Sequence, residues 1–336
     1  MNGPVLEVSD LKVRFALPRK GFGRKPMVHA VDGVSFQVAQ GKTLGIVGES
    51  GSGKTTVALS VMRLVNATAG SIKLNGSDFG ALRGDALRVQ RRHIQMVFQD
   101  PYSSLNPRSR AKDIVAEPLD LMKVGTPSER QERVTEVFRQ VGLRADQLSL
   151  FPHQFSGGQR QRLGIARALA TKPELVVCDE PVSALDVAIQ AQILNLLAEL
   201  QREYKLSYLF ISHDLAVVQH LCDDVLVMYL GQVVEAASRE QLFTNPLHPY
   251  TWALLSSVPQ VGRRALTGTT VLDGDPPSPV DLPVGCRFAA RCAYAQAICR
   301  QEPPPLRAIA PDHSVACHLV TESGDAPQRP IMFSPR

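Results

Sequence analysis

Residues 48–55 read Gly48-Glu49-Ser50-Gly51-Ser52-Gly53-Lys54-Thr55, a full match to the pattern G-x-x-x-x-G-K-S/T. No other stretch limits the possible folds as strongly. The residues before it, Thr43-Leu44-Gly45-Ile46-Val47, read as a short buried strand. Those after it, Thr56-Val57-Ala58-Leu59-Ser60-Val61-Met62, read as the start of a helix. Strand, glycine loop and helix is the context in which this pattern holds phosphate. Gly48, Gly51 and Gly53 permit a tight turn that aims several backbone N–H groups at one anion. The helix behind adds the positive end of its dipole, worth about +0.5 charge. Lys54 can reach β- and γ-phosphates, and Thr55 offers a hydroxyl to Mg²⁺. Taken alone, the same letters also fit a Gly/Ser-rich turn before an ordinary helix, so the decision falls to the rest of the chain.

Strands alternate with helices along most of the sequence, which predicts an α/β fold with a parallel or mixed sheet covered on both faces. The apolar pattern predicts strands over 5–15 (an edge strand), 34–38, 71–74, 94–98, 175–180 and 208–211, and a final hairpin over 225–230 and 233–234. Residues 83–92 read as a basic helix and 187–200 as an apolar one. No strand is evident over 105–143, where Ser128-Glu129-Arg130 opens an amphipathic helix, so this stretch reads as a helical insertion. Residues 17–26 are a basic Gly/Pro insertion, read as a solvated loop. After Pro246 the texture changes. Pro276, Pro277, Pro279, Pro283 and Pro303-Pro304-Pro305 break regular structure and predict a separate, loop-rich appendage, with a disordered tail from about Glu322.

At 336 residues the chain can bury a large core and more than one domain. Its net charge of +5 is mild, which fits nucleotide or lipid headgroups better than a nucleic-acid groove. No apolar run reaches the ~18 residues of a membrane span. The N-terminus lacks the basic-then-apolar pattern of a signal peptide. The expectation is a cytosolic chain that meets a membrane only through partners. Four of the six cysteines, Cys286, Cys292, Cys299 and Cys317, sit near the C-terminus. Disulfides are rare in a reducing cytosol, so the cluster reads as a metal or iron–sulfur site. Structural zinc favours a tight C-x2–4-C pair, which is missing here, whereas four thiolates suit a 4Fe–4S cluster; zinc and plain cysteines without a metal stay as the alternatives. Cys178 and Cys222 lie in apolar surroundings and read as core.

Three further features carry chemistry. The apolar strand over 175–180 ends in Asp179 and Glu180. Beside a phosphate loop, the first carboxylate can hold Mg²⁺ and the second can take a proton from an attacking water. Ser156-Gly157-Gly158-Gln159 precedes a helix and makes a second N–H nest with no use inside one subunit; its plain alternative is an N-cap. Gln99 and His213 each follow a predicted strand, where α/β ligand sites gather.

Together these stretches resemble the ATPase subunit of an ABC transporter, over roughly the first 240 residues. The resemblance makes Gly48 to Thr55 the Walker A loop, Gln99 the Q-loop glutamine and Asp179 the end of Walker B. Glu180 becomes the catalytic base, Asp186 the D-loop acid and His213 the switch histidine. Ser156, Gly157, Gly158 and Gln159 become the signature, with Phe155 in place of the commoner leucine. It implies ATP binding by Gly48, Glu49, Ser50, Gly51, Ser52, Gly53, Lys54, Thr55, Thr56, Gln99, Asp179 and His213, with Phe15 stacked on adenine. It implies Mg²⁺ at Thr55, Gln99 and Asp179, and a head-to-tail dimer in which the signature of one subunit covers ATP held by the other.

More narrowly, Phe98-Gln99-Asp100-Pro101-Tyr102-Ser103-Ser104-Leu105-Asn106-Pro107-Arg108, Asn245-Pro246-Leu247-His248-Pro249-Tyr250-Thr251 and the cysteine tail resemble the dipeptide/oligopeptide importer branch, whose tails are associated with a 4Fe–4S cluster. Residues 180–187 look like the second of the two ATPase subunits such importers use. That implies a nucleotide-binding domain over 1–244, with a helical subdomain over about 105–170, a C-terminal cysteine domain over 245–321 and a tail over 322–336. The implied partners are two transmembrane permeases, a second, non-identical ATPase and, indirectly, a substrate-binding protein, with no nucleic acid, at the cytoplasmic face of the inner membrane. The rivals are a soluble ABC ATPase of DNA repair or translation, and an importer of nickel complexes, glutathione or sugars. The soluble class usually carries a long coiled-coil insertion or tandem ATPase domains, and neither is visible in the sequence.

Overall fold

The computed structural model describes residues 3–18, 25–256 and 274–327. The middle of the basic insertion and the end of the tail therefore lie outside the described residues. The strands are β1 (Leu6–Ala16), β2 (Met27–Val38), β3 (Thr43–Val47), β4 (Ala69–Leu74), β5 (Ser77–Asp78), β6 (Ile94–Val97), β7 (Leu175–Asp179), β8 (Ser207–Ser212), β9 (Asp224–Tyr229), β10 (Gln232–Ser238), β11 (Arg307–Ala310) and β12 (His313–Val315). The helices are α1 (Lys54–Val61), α2 (Gly84–Arg91), α3 (Pro101–Ser104), α4 (Ala111–Leu121), α5 (Pro127–Gln140), α6 (Gly157–Leu169), α7 (Val187–Tyr204), α8 (Leu215–Leu221), α9 (Arg239–Thr244), α10 (Pro249–Ser256) and α11 (Ala297–Gln301).

Two sheets result, one of order β2-β1-β4-β5 and one of order β11-β12-β10-β9-β3-β8-β7-β6. In the larger sheet β9, β3, β8, β7 and β6 run parallel. Alternation along these strands divides the core. Val176, Cys178, Tyr208 and Phe210 face the helices, while Leu175, Val177, Leu209 and Ile211 face the smaller antiparallel sheet. With both faces covered, β3, β7 and β8 are buried at every position, as their near-continuous apolar sequences require.

The structure departs from the sequence expectations in three places. β1 alternates like an edge strand, yet β2 and β4 flank it on both sides. The 225–234 hairpin is not the last in the sheet, because β12 pairs with the outer edge of β10, with Glu235↔Val315, Ala236↔Ser314 and Ala237↔His313 in register. Part of the region after Pro246, β11 and β12, therefore joins the central sheet. The insertion over 105–143 is strand-free, as expected, and α4 and α5 pack there on α6.

Candidate functional site

β3 delivers the chain at Val47 into the glycine loop, and α1 leaves it at Lys54. Gly53 caps α1 with φ 102°, and a Cβ there would collide with the Ala30 carbonyl oxygen. Gly48 has φ 152°, and a Cβ there would meet the Met228 carbonyl. The loop is thus wedged between β2 and β9, and only glycine fits these two corners. Lys54 is buried, and its Nζ donates to the carbonyls of Gly48 at 2.7 Å and Glu49 at 2.8 Å. Burial lowers the Lys54 pKa, against the pull of Glu180, Asp179 and Glu49.

The ends of β7 and β8 bring the other groups. Thr55 Oγ1 donates to Asp179 Oδ1 at 3.1 Å. Burial raises the Asp179 pKa, and the Thr55 hydroxyl opposes that rise. The neighbouring backbone at Glu180 is left-handed, with φ 46°. That turn swings its carboxylate to where Oε2 accepts from Gln99 Nε2 at 2.9 Å and faces His213 Nδ1 at 3.1 Å. A cavity of about 540 Å³ opens over this group, lined among others by Ser50, Gly51, Gly53, Lys54, Thr55, Thr56, Gln99, Glu180 and His213. A hydroxyl and a buried carboxylate side by side make a hard, oxygen-only donor set, which fits Mg²⁺.

Not every expected residue reaches the cavity. Phe15 is partly exposed and pairs across to Val28; it is Val28, not Phe15, that lines the cavity wall. Ser156 caps α6, with Gln159 N donating to Ser156 Oγ at 3.3 Å and Ser156 N to Gln159 Oε1 at 3.0 Å. None of residues 156–159 lines the cavity. Asp186 caps α7 through the Ile189 N–H at 3.0 Å. Residues that the sequence left silent do reach the cavity. Pro279 lines it, held by its carbonyl accepting from His29 N at 2.9 Å; Tyr250, which does not line it, reaches the loop instead, its hydroxyl accepting from Glu49 N at 2.8 Å. Sequence alone offered Pro279 only as a breaker of regular structure and Tyr250 only as part of the importer-branch motif, and neither reading set it beside the phosphate loop.

The four C-terminal cysteines share one neighbourhood. Burial, with Cys286, Cys292 and Cys299 nearby, pushes the Cys317 thiol up to about 11. Backbone N–H groups of Phe288 and Ala289 face Cys286, that of Tyr294 faces Cys292 and that of Leu319 faces Cys317, each favouring thiolate. Yet among the described residues no three His, Cys, Asp or Glu side chains stand close enough to hold a metal ion. The expected iron–sulfur ligands gather, but they do not close into a ligand set. Cys178 and Cys222 are fully buried, and burial raises both thiols far above their usual range.

Comparison with known proteins follows the same outline. Residues 31–183 match the ABC transporter family, and residues 234–299 match the family described as oligopeptide/dipeptide transporter, C-terminal region. The chain is 51% identical over 319 residues to the oligopeptide transport ATP-binding protein AppF of Bacillus subtilis (strain 168), covering 94% of this chain and 97% of that one. It is 47% identical over 314 residues to the di/tripeptide transport ATP-binding protein DppF of Pseudomonas aeruginosa (strain UCBPP-PA14), covering 94% and 97%. Among solved structures it resembles the ATP-binding cassette MJ0796 in a dimeric post-hydrolysis state bound to ADP and Pi, with a TM-score of 0.62 and 27% identity over 70% of this chain and 98% of that one. A chain that shares half its residues with AppF almost from end to end belongs to the ABC transporter family, as an ATP-binding protein of its oligopeptide/dipeptide branch.

Proposed function

We propose that this chain is the ATPase subunit of an importer of di- or oligopeptides, held at the cytoplasmic face of the inner membrane by two permeases. As a member of the ABC ATPase family it couples ATP hydrolysis to transport. The observation that carries the site reading is the cavity that gathers Lys54, Thr55, Gln99, Glu180 and His213 on a glycine loop. In this reading the loop N–H groups and Lys54 bind the phosphates. Thr55 and Asp179, with Gln99, would hold Mg²⁺, which would supply positive charge to neutralise the phosphates. Glu180 orients the attacking water and accepts its proton, Gln99 fixes the Glu180 carboxylate by donating to it, and His213 stands beside the γ-phosphate. Val28 on the cavity wall, with Phe15 paired beside it, meets the adenine.

Ser156, Gly157, Gly158 and Gln159 lie away from this chain's own cavity, which supports a use in trans, over ATP held by a second ATPase subunit. That partner is read as non-identical, and a substrate-binding protein supplies the peptide. The domain division is residues 1–244 for nucleotide and 245–321 for the cysteine-bearing region. The four cysteines lying in one neighbourhood, with backbone N–H groups facing three of them, support the reading of a 4Fe–4S cluster there, with zinc as the alternative. One experiment tests the assembly: anaerobic affinity purification from the native cell in mild detergent, with mass spectrometry and metal analysis. Two permeases with a second ATPase, and iron with sulfide, are expected. Recovery with ribosomes or nucleic acid and no membrane protein would overturn the importer reading, and stoichiometric zinc would overturn the cluster.

A further inference from the structure

The C-terminal region grips the phosphate loop from behind. Arg291 Nη1 and Nη2 donate to Glu49 Oε2 at 2.6 Å and Oε1 at 2.9 Å, a two-pronged pair with the arginine side chain only 5% exposed. Glu49 is the second residue of the loop, and its backbone is occupied at both ends. Its N–H donates to the Tyr250 hydroxyl at 2.8 Å, and its carbonyl accepts from Lys54 Nζ at 2.8 Å. Arg291 is itself held in place, its backbone N–H donating to Phe288 O at 3.0 Å and its Nη1 reaching the Tyr229 hydroxyl at 3.4 Å. Tyr229, Tyr250 and Phe288 pack edge-on or tilted against one another around it, with centroids 4.7 to 5.3 Å apart. Cys292 is the next residue in the chain.

An exposed ion pair contributes little, but a bidentate pair with a buried guanidinium fixes geometry, because the fork and the carboxylate admit one mutual orientation. What it fixes is the turn on which the loop's N–H groups depend. We propose that Arg291 is a positioning residue of the nucleotide site, through which the C-terminal region sets nucleotide affinity by locking Glu49. The proposal rests on the reading of residues 48–55 as an ATP cradle. Coupling of this kind is reciprocal: nucleotide binding must act back on the C-terminal region. The single tryptophan reports it, since Trp252 packs edge-on against Tyr294, two residues beyond Cys292, at 5.5 Å.

The test uses the full chain and MgATP. Arg291→Ala, Arg291→Lys, Glu49→Gln and the double variant Arg291→Ala/Glu49→Gln are titrated by calorimetry, by steady-state hydrolysis and by Trp252 emission. The Kd is expected to rise about tenfold in Arg291→Ala and Glu49→Gln, and no further in the double variant. The kcat of Arg291→Ala at saturating ATP should stay within about threefold, and Arg291→Lys should restore only part of the affinity. MgATP should shift Trp252 emission in the parent protein and not in Glu49→Gln. Folded variants whose Kd stays within about twofold of the parent, losses that multiply in the double variant, or equal emission shifts in both proteins would overturn the proposal. If Arg291→Ala does not fold, Glu49→Gln carries the affinity and emission criteria. A parent protein that binds no MgATP would overturn the cradle reading instead.

Discussion

Glu180 owes its position to one backbone angle. Its φ of 46° turns the chain at the end of β7 and sets the carboxylate between Gln99 and His213. Glu180→Gln keeps the shape and loses the basic oxygen, so MgATP binding should persist while hydrolysis falls by ~10²–10⁴. Near-normal turnover in that variant would remove Glu180 from the base role. A second residue carries a pH dependence. His248 is fully buried, and burial lowers its pKa from 6.5 to about 4. Between those values the unfolded chain binds a proton that the folded chain refuses, so stability is lost as pH falls through this window. The loss should approach ~3 kcal/mol by pH 4 in denaturant titrations. His248→Asn should show a shallower acid limb, and an unchanged slope would clear His248 of the effect. Most of the site was legible at this scale: Lys54, Thr55, Gln99, Asp179, Glu180 and His213 were all placed from sequence. Arg291 and Tyr250 were not, because the contacts they make span 242 and 201 positions and follow no local period.

At the scale of elements, legibility tracked length and alternation. β3, β7 and β8 announced themselves through unbroken apolar runs, and α5 through its amphipathic stripe, although the structure opens it at the Thr126–Glu129 capping box and not at Ser128. β12 has three residues and no readable period, so the partner of β10 stayed hidden among prolines. α6 and α7 meet through Gly158, where a Cβ would stand 2.6 Å from Ile189 Cγ2. Gly158→Ala must push Ile189 aside, and we expect a cost of ~1–3 kcal/mol, read as a lowered midpoint in thermal unfolding. Asp186 caps α7, and Asp186→Ala should cost about 1 kcal/mol in the same measurement. A midpoint unmoved by either change would show that these helix starts relax freely.

For the whole molecule, the larger sheet takes strands from Thr43 in β3 through to Val315 in β12. Glu235 of β10 is wholly buried, and its carboxylate accepts from Leu247 N at 2.6 Å and His248 N at 3.0 Å and faces His313 Nε2 at 2.7 Å. His313→Ala removes one partner of a buried polar group and should cost ~1–3 kcal/mol. Limited proteolysis should then release fragments beginning after β10, and resistance equal to the parent would argue against that role. The sheet also has a consequence for synthesis. Glu235 and His313 stand 78 positions apart. At roughly 5–20 residues per second, a ribosome needs seconds to deliver the second after the first. Through that interval the outer hydrogen-bonding edge of β10 is open and its carboxylate has no imidazole to meet. A nascent chain arrested just past α9 is therefore the form most exposed to pairing with a neighbour's strand, and the closing hairpin acts as the seal on a newly made subunit.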